Sequence, residues 1–177
     1  MSMLDFAVMA TTEYIDHMPK SQRKKYGQFF TSKETAIFMA GLFEIPTGCE
    51  ALSILDPGAG SGILSIALLE RLQSFSAIKI KEIRLVCYEN DPNIMELLRT
   101  NLETACSYSQ QKISYKIISD NYILSQSNDY NLTLGANLNP ENFDFIIGNP
   151  PYMKIAKDTP EALAMPDVCY GAPNLYF

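Results

Sequence analysis

Apolar and polar positions along this chain repeat with two periods, and the change from one to the other divides it. Residues 3–18 (MLDFAVMATTEYIDHM) place apolar side chains at helical spacing and predict a short helix. The stretch PKSQRKKYGQFFTS that follows is polar and punctuated by Pro19 and Gly27. Thr31 with Glu34 three residues later has the form of a capping box, which predicts a helix from near Ser32 to about Phe43. After the loop IPTGCE the apolar runs become continuous. ALSILD predicts a buried strand, and ILSIALLERL after the glycines predicts a helix with a buried face. IRLVCYE predicts a second strand. Asp91 and Pro92, an N-cap and a first-turn proline, open a helix through IMELLRTNLETACSY. KISYKIISD and FDFIIGN predict two further strands, separated by a loop-like stretch over 121–142 with room for a short helix. Residues 153–177 read mostly as loop.

Four apolar strands alternating with helices imply an α/β fold of Rossmann-like form, a parallel sheet with helices on both faces. Each predicted strand ends in a polar residue: Asp56, Glu89, Asp120 and Asn149. In open α/β sheets the ligand site lies beyond the carboxyl ends of the strands, so these four residues converge on one rim.

Composition narrows the class. The chain has 177 residues, 47% of them hydrophobic, enough for one core. Its formal net charge of -6 argues against a chain that coats nucleic acid or an anionic membrane, because phosphate binding needs a local excess of Lys and Arg. No apolar run approaches the roughly 18–20 residues of a membrane span, and no secretory leader is apparent. The four cysteines (Cys49, Cys87, Cys106, Cys169) have no CxxC spacing, and the single histidine, His17, makes a zinc site improbable. No metal is expected, and the thiols read as reduced in a cytoplasmic protein.

The loop Asp56-Pro57-Gly58-Ala59-Gly60-Ser61-Gly62 joins the first of these strands to its helix. Its G-x-G-x-G spacing is neither the dinucleotide fingerprint nor a P-loop. An acid at its head would repel a diphosphate and suits a ligand with an amino group. Glu89, at the end of the second strand, can accept hydrogen bonds from both hydroxyls of a ribose. A nucleoside with a charged amino-acid tail and no phosphate, such as S-adenosylmethionine, meets both conditions. The plainer alternative is a tight turn with Glu89 capping the next helix.

Asn149-Pro150-Pro151-Tyr152 closes the last strand as a rigid turn. The Asn149 side chain and the Pro150 carbonyl offer two acceptors that can hold an exocyclic NH₂ by both hydrogens. Such bonds favour the pyramidal nitrogen, whose lone pair can attack a methyl group. Tyr152 offers a face on which a planar group can stack.

These residues resemble the amino-group DNA methyltransferases, the closest resemblance being to adenine-specific methylases of restriction–modification systems. The matching pieces are YGQFFTS (26–32), ILDPGAGSG (54–62), CYENDP (87–92), SDNY (119–122) and FDFIIGNPPY (143–152), in the family's order. The resemblance implies that Phe30 and Thr31 contact the methionine portion of S-adenosylmethionine. It implies that Asp56, Gly58 and Gly60 line its amino-acid end and that Glu89, with Asn90 beside it, binds the ribose. Asp120 and Asn121 would meet the adenine ring of the cofactor. Asn149, Pro150, Pro151 and Tyr152 would hold a flipped target adenine, flipping being required because its amino nitrogen is inaccessible in the duplex.

The expected organisation is an N-terminal helical segment with a cofactor motif (1–50) and a partial catalytic domain (51–177). The family continues beyond the NPPY turn into a target-recognition domain, which is expected to be absent here. DNA is the expected partner, largely through those regions, with a restriction nuclease beside it and no membrane. Two rival functions stand against this: methyl transfer to RNA bases or protein glutamine, and cofactor binding without activity. Lys20, Arg23, Lys24 and Lys25 read as a solvated loop, with phosphate contact the rival reading.

Overall fold

A computed structural model describes residues 1–19, 30–75, 79–126, 142–150 and 155–164. Helix α1 (Met3–His17) starts at Ser2, whose hydroxyl accepts from Asp5 N–H while the Asp5 carboxylate accepts from Ser2 N–H. Helix α2 (Lys33–Gly41) is capped by Ser32, which accepts from Thr35 N–H. The expected Thr31–Glu34 box is thus corrected by one residue. Adjacent Thr and Ser are both competent caps, and taking the second leaves the Thr31 hydroxyl for another partner. The helix also stops at Gly41, short of Phe43.

Strand β1 (Ala51–Asp56) leads through the glycine turn into α3 (Ile63–Ser74). Strand β2 (Glu82–Tyr88) is followed by α4 (Pro92–Tyr108), with Asp91 accepting from Asn93 N–H and Pro92 in the first turn, as the sequence predicts. Strand β3 (Lys112–Ile118) precedes a helical turn at 122–126. Strand β4 is shorter than expected, Phe145–Ile146, though its flanks continue the ladder through Asp144 N–H to the Ser53 carbonyl and Ile147 N–H to the Leu55 carbonyl. A short helix, α5 (Pro160–Ala164), follows.

The strands run parallel in the order β3-β2-β1-β4. From β1 to β3 the chain steps in one direction, so right-handed crossovers put α3 and α4 on one face. Leu52, Ile54, Ile83, Leu85 and Cys87 point to that face and form one buried cluster with Met3, Leu4, Ala7, Ala36, Ala40, Ile66, Leu98 and Leu102. The buried sides of α1 to α4 therefore share a core, in which each fully buried Leu or Ile contributes roughly 1.5–3 kcal/mol. Leu4 N–H donates to Glu70 at 2.9 Å and ties α1 to α3, and Lys33 pairs with Asp5 across α2 and α1.

β4 pairs with β1 on the side away from β2, and Tyr88, next after Cys87 on β2, points to the sheet face opposite the core. The 122–126 turn begins there, with Tyr122 edge-on to Tyr88 at 5.0 Å between ring centroids. The direction of winding reverses between β1 and β4. That switch point is where an open α/β sheet leaves a crevice beyond its strand ends. Among the described residues no helix is long and apolar enough to cross a membrane.

Candidate active site

The crevice holds a pocket lined by Phe30, Thr31, Gly58, Ala59, Gly60, Ser61, Ile63, Leu64 and Asn149. Three separate stretches of sequence meet in it: the segment before α2, the turn after β1 and the segment after β4. Asn149 Nδ2 donates to Thr31 Oγ1 at 3.1 Å and joins the first of these to the last.

The turn is built in layers. Ala59 N–H donates to the Tyr88 carbonyl at 2.9 Å, anchoring it to the end of β2. Gly60 and Gly62 have positive φ, +54° and +84°. At Gly62 a Cβ would lie 2.8 Å from Leu98 Cδ1, so α4 packs too close for any side chain. A Cβ at Gly60 would meet nothing within 4 Å, and the same holds at Gly58, whose φ is not positive. Packing thus requires Gly62 and backbone conformation requires Gly60. Gly58 is required by neither, and the space beside it belongs to the pocket.

Glu89 sits one residue beyond β2. Its Oε2 accepts from Gly60 N–H at 2.9 Å and its Oε1 from Asp91 N–H at 2.8 Å. One carboxylate therefore links the glycine turn to the start of α4. Burial pushes its pKa up, while the Asp91 and Gly60 N–H bonds pull the other way. Each oxygen keeps a lone pair beyond those bonds, so the group can still receive hydroxyls.

Asp56 takes a different place from the expected one. Its side chain is fully buried and stands behind the pocket wall, with Oδ2 accepting from Ser65 Oγ at 2.7 Å. Burial raises its pKa to about 7, against the Ser65 and Gly58 bonds that lower it, and the nearby Glu89 charge adds to the rise. The Ser65 hydroxyl also lies 3.9 Å from the buried Cys87 thiol. The loop's leading acid serves the turn from beneath, because β1 ends with this side chain on the core face.

Two residues that sequence reasoning did not single out hold the turn. Ser65 is one. Asn101 of α4 is the other: almost fully buried, it donates from Nδ2 to the Ser61 carbonyl at 2.8 Å. Its signal was legible, since Asn101 falls on the stripe Ile94, Leu98, Leu102, Ala105 that α4 turns inward. A polar residue on such a stripe needs a buried partner.

The remaining candidates spread along the rim. Asn90 and Asp120 are exposed. Asn121 Oδ1 accepts from Leu124 N–H and its Nδ2 donates to Glu161 Oε1 at 2.9 Å, tying the 122–126 turn to α5. None of these three lines the pocket. Pro150 is half-buried next to Asn149, while Pro151, Tyr152, the Lys20–Lys25 cluster and Phe29 lie outside the described residues. Among the described residues no group of three His, Cys, Asp or Glu side chains could hold a metal ion, and Cys49, Cys87 and Cys106 are free thiols.

The chain is also similar to known proteins in sequence and in fold. A family model described as N-6 DNA Methylase matches residues 11–162. The type II methyltransferase M.PstI of Providencia stuartii is 32% identical over 167 residues, covering 90% of this chain and 30% of its own length. M.BsuBI of Bacillus subtilis is 32% identical over 157 residues, 87% of this chain and 30% of its own. The modification methylase CviBIII of Paramecium bursaria Chlorella virus NC1A is 27% identical over 143 residues, 81% of this chain and 30% of its own. The chain thus spans about 30% of the length of these curated relatives. Among solved structures, the methyltransferase subunit of a type I restriction-modification system from Streptococcus thermophilus shares the fold, with a TM-score of 0.50 and 19% identity over 80% of this chain and 26% of that one.

Proposed function

The chain belongs to the N-6 DNA methylase family, and we propose from that premise that the protein transfers a methyl group from S-adenosylmethionine to N6 of a flipped adenine at a specific DNA site. In this reading residues 1–50 bring the cofactor motif and residues 51–177 supply part of the catalytic domain. The protein works in the cytoplasm within a restriction–modification system, with DNA gripped largely through regions beyond the NPPY turn and a restriction nuclease as functional partner. The type II methyltransferases among its relatives support that setting.

One observation carries the reading. A cofactor-motif residue, the glycine turn and the Asn149 amide wall a single pocket at the switch point, and Thr31 bonds directly to Asn149. The residues present fit the cofactor. The open space beside Gly58 and Gly60 admits a ligand against backbone, and Glu89 stands at the adjoining strand end to receive ribose hydroxyls. Bound S-adenosylmethionine supplies a methyl group activated by its sulfonium.

The chain's own work is positioning. Asn149 Oδ1 and the Pro150 carbonyl accept the two amino hydrogens of the target, which localises the nitrogen lone pair for attack. With the cofactor bound, attack would form the N–CH₃ bond as the S–CH₃ bond breaks, and one of the two amino hydrogens held by Asn149 and Pro150 would then pass to solvent water as a proton. Tyr152 stacks on the extruded base.

Calorimetry with S-adenosylmethionine and a labelled-methyl assay on unmethylated duplex DNA, RNA and a glutamine-bearing protein test the proposal. The expected result is cofactor binding and N6-methyladenine in DNA alone. Asn149→Ala should lower the rate about a hundredfold, the scale of removing one preorganised polar group at a reacting centre, with cofactor affinity retained. Absence of binding heat overturns the cofactor assignment. Label in RNA or protein instead of DNA overturns the substrate assignment.

A further inference from the structure

The Asn121 carboxamide is engaged at both ends within the chain. Its Oδ1 accepts from Leu124 N–H at 3.3 Å, and the Asn121 carbonyl accepts from Ser125 N–H at 2.9 Å, so this residue opens the helical turn that follows β3. With Oδ1 committed to that turn, Nδ2 is left as a donor for another segment. A carboxylate is the strongest acceptor a side chain can offer it. Glu161 of α5 supplies one from 40 positions away, its Oε1 standing 2.9 Å from Nδ2.

α5 is too short to hold itself in place. Isolated helices need about 12–15 residues in water, and α5 has 5. Thr159 opens it: the hydroxyl donates to the Ala156 carbonyl at 2.9 Å, and the Thr159 carbonyl accepts from Leu163 N–H at 3.0 Å. Ala162 is buried whereas Leu163 is exposed, so one side of the turn rests on the protein. Its position depends on that contact and on the Glu161 bond. From Asn121 the connection runs on to the pocket. The last residue of β3, Ile118, accepts through its carbonyl from Glu89 N–H at 3.0 Å. The Glu89 carboxylate in turn accepts from Gly60 N–H in the glycine turn. Glu161, which follows the Asn149-Pro150 turn in sequence, thus stands at one end of a bonded path whose other end is the pocket wall.

We propose that Glu161 is a positioning residue, whose bond to Asn121 latches α5 to the end of β3 and thereby holds Glu89 in place for the ribose of the bound cofactor. The inference rests on the function proposed above and deepens it. The chain leaving the target turn and the chain leaving β3 are locked together, so opening the latch loosens the nucleoside end of the site.

Five proteins test this: the unaltered chain, Glu161→Ala, Glu161→Gln, Asn121→Asp, and the double variant Asn121→Asp with Glu161→Gln. Glu161→Gln keeps the acceptor. Asn121→Asp keeps the cap for Leu124 but sets two carboxylates against each other, and adding Glu161→Gln restores a donor between them. The first readout needs no ligand: amide hydrogen exchange over residues 155–164. Exchange should quicken in Glu161→Ala and Asn121→Asp and return towards the unaltered rate in the double variant. The second is the affinity for S-adenosylhomocysteine by calorimetry. It should fall about tenfold in Glu161→Ala and in Asn121→Asp, stay within about twofold in Glu161→Gln, and recover most of the loss in the double variant. Exchange that is the same in all five proteins overturns the latch. Quickened exchange with unchanged affinity, or a double variant that binds no better than Asn121→Asp, overturns the positioning role. If the unaltered protein binds no S-adenosylhomocysteine, the cofactor assignment above fails and the positioning role with it, while the exchange rates still decide the latch.

Discussion

On its inner side the segment 56–62 meets Ser65, Leu98 and Asn101; on its outer side it meets Thr31, Asn149 and open space. The inner side follows the rules of a protein core. Asp56 and Asn101 are buried and each holds a hydrogen bond through one side-chain atom, to the Ser65 hydroxyl and the Ser61 carbonyl, and a methyl group at Gly62 would have to displace Leu98. The outer side follows no packing rule of the chain itself. Gly58 stays small where the fold leaves space and φ is ordinary for any residue. The comparison shows that one glycine-rich motif combines residues kept for the fold with a residue whose smallness the fold does not need. Substitutions on the two sides should therefore separate stability from binding.

The largest effect expected is on the inner side, at Asp56, and it is a dependence on pH. The folded pKa of about 7 lies above the unfolded value of 3.8. Between those limits the folded protein keeps a proton that the unfolded chain releases. Stability linked to Asp56 is fully present below about pH 4, is lost as pH rises through 7, and is flat above it. A shift of this size corresponds to a difference on the order of 4 kcal/mol across the window. Asp56→Asn removes the titration and keeps an acceptor for Ser65. Denaturant unfolding of both proteins from pH 4 to pH 8 should give curves that converge at the acid end and separate with rising pH, the variant being the flatter. Parallel curves would mean that Asp56 does not titrate in this window.

Gly62→Ala is the next largest. The added methyl meets Leu98 at 2.8 Å and fixes a non-glycine residue at φ +84°. Overpacking and left-handed strain together should cost about 3 kcal/mol. A thermal melt reads this directly, and a variant as stable as the unaltered chain would show that α4 gives way more easily than its packing implies.

The two sides were not equally legible in the sequence. The elements came from apolar periodicity, and Asp91 with Pro92 marked the start of α4 because capping is local chemistry. The parallel sense of the sheet followed from alternation of strands and helices, and the rim from the polar strand ends, whereas the strand order came from the structure. Three things depended on the third dimension. The cap moved from Thr31 to Ser32 because two adjacent residues can do the same local work and only the distant Asn149 distinguishes them. Asp56 looked like a ligand contact because it heads the turn, but the side on which a strand's last residue points is decided by the sheet. Ser65 has no local signature, because the helix that carries it is buried on consecutive positions, whereas Asn101 is marked by its place on the inward stripe of α4.

The smallest effect expected falls at Gly58, and it sets the two sides of the turn most directly against each other. Nothing in the chain lies within 4 Å of a Cβ built there, and its φ is not in the left-handed region. Gly58→Ala should therefore fold without strain, and by narrowing the unfolded ensemble it should gain about 0.5 kcal/mol of stability. The same methyl would stand in the space offered to a ligand. Affinity for S-adenosylmethionine should drop about tenfold, the cost of one misplaced methyl group against a close-fitting surface. Calorimetry and a melt on one sample give both numbers. Stability up and affinity down is the pattern of a glycine kept for its ligand. If affinity is unchanged, the open space at Gly58 is not where the ligand approaches, and the outer side of the turn must take its ligand at Gly60 or beyond.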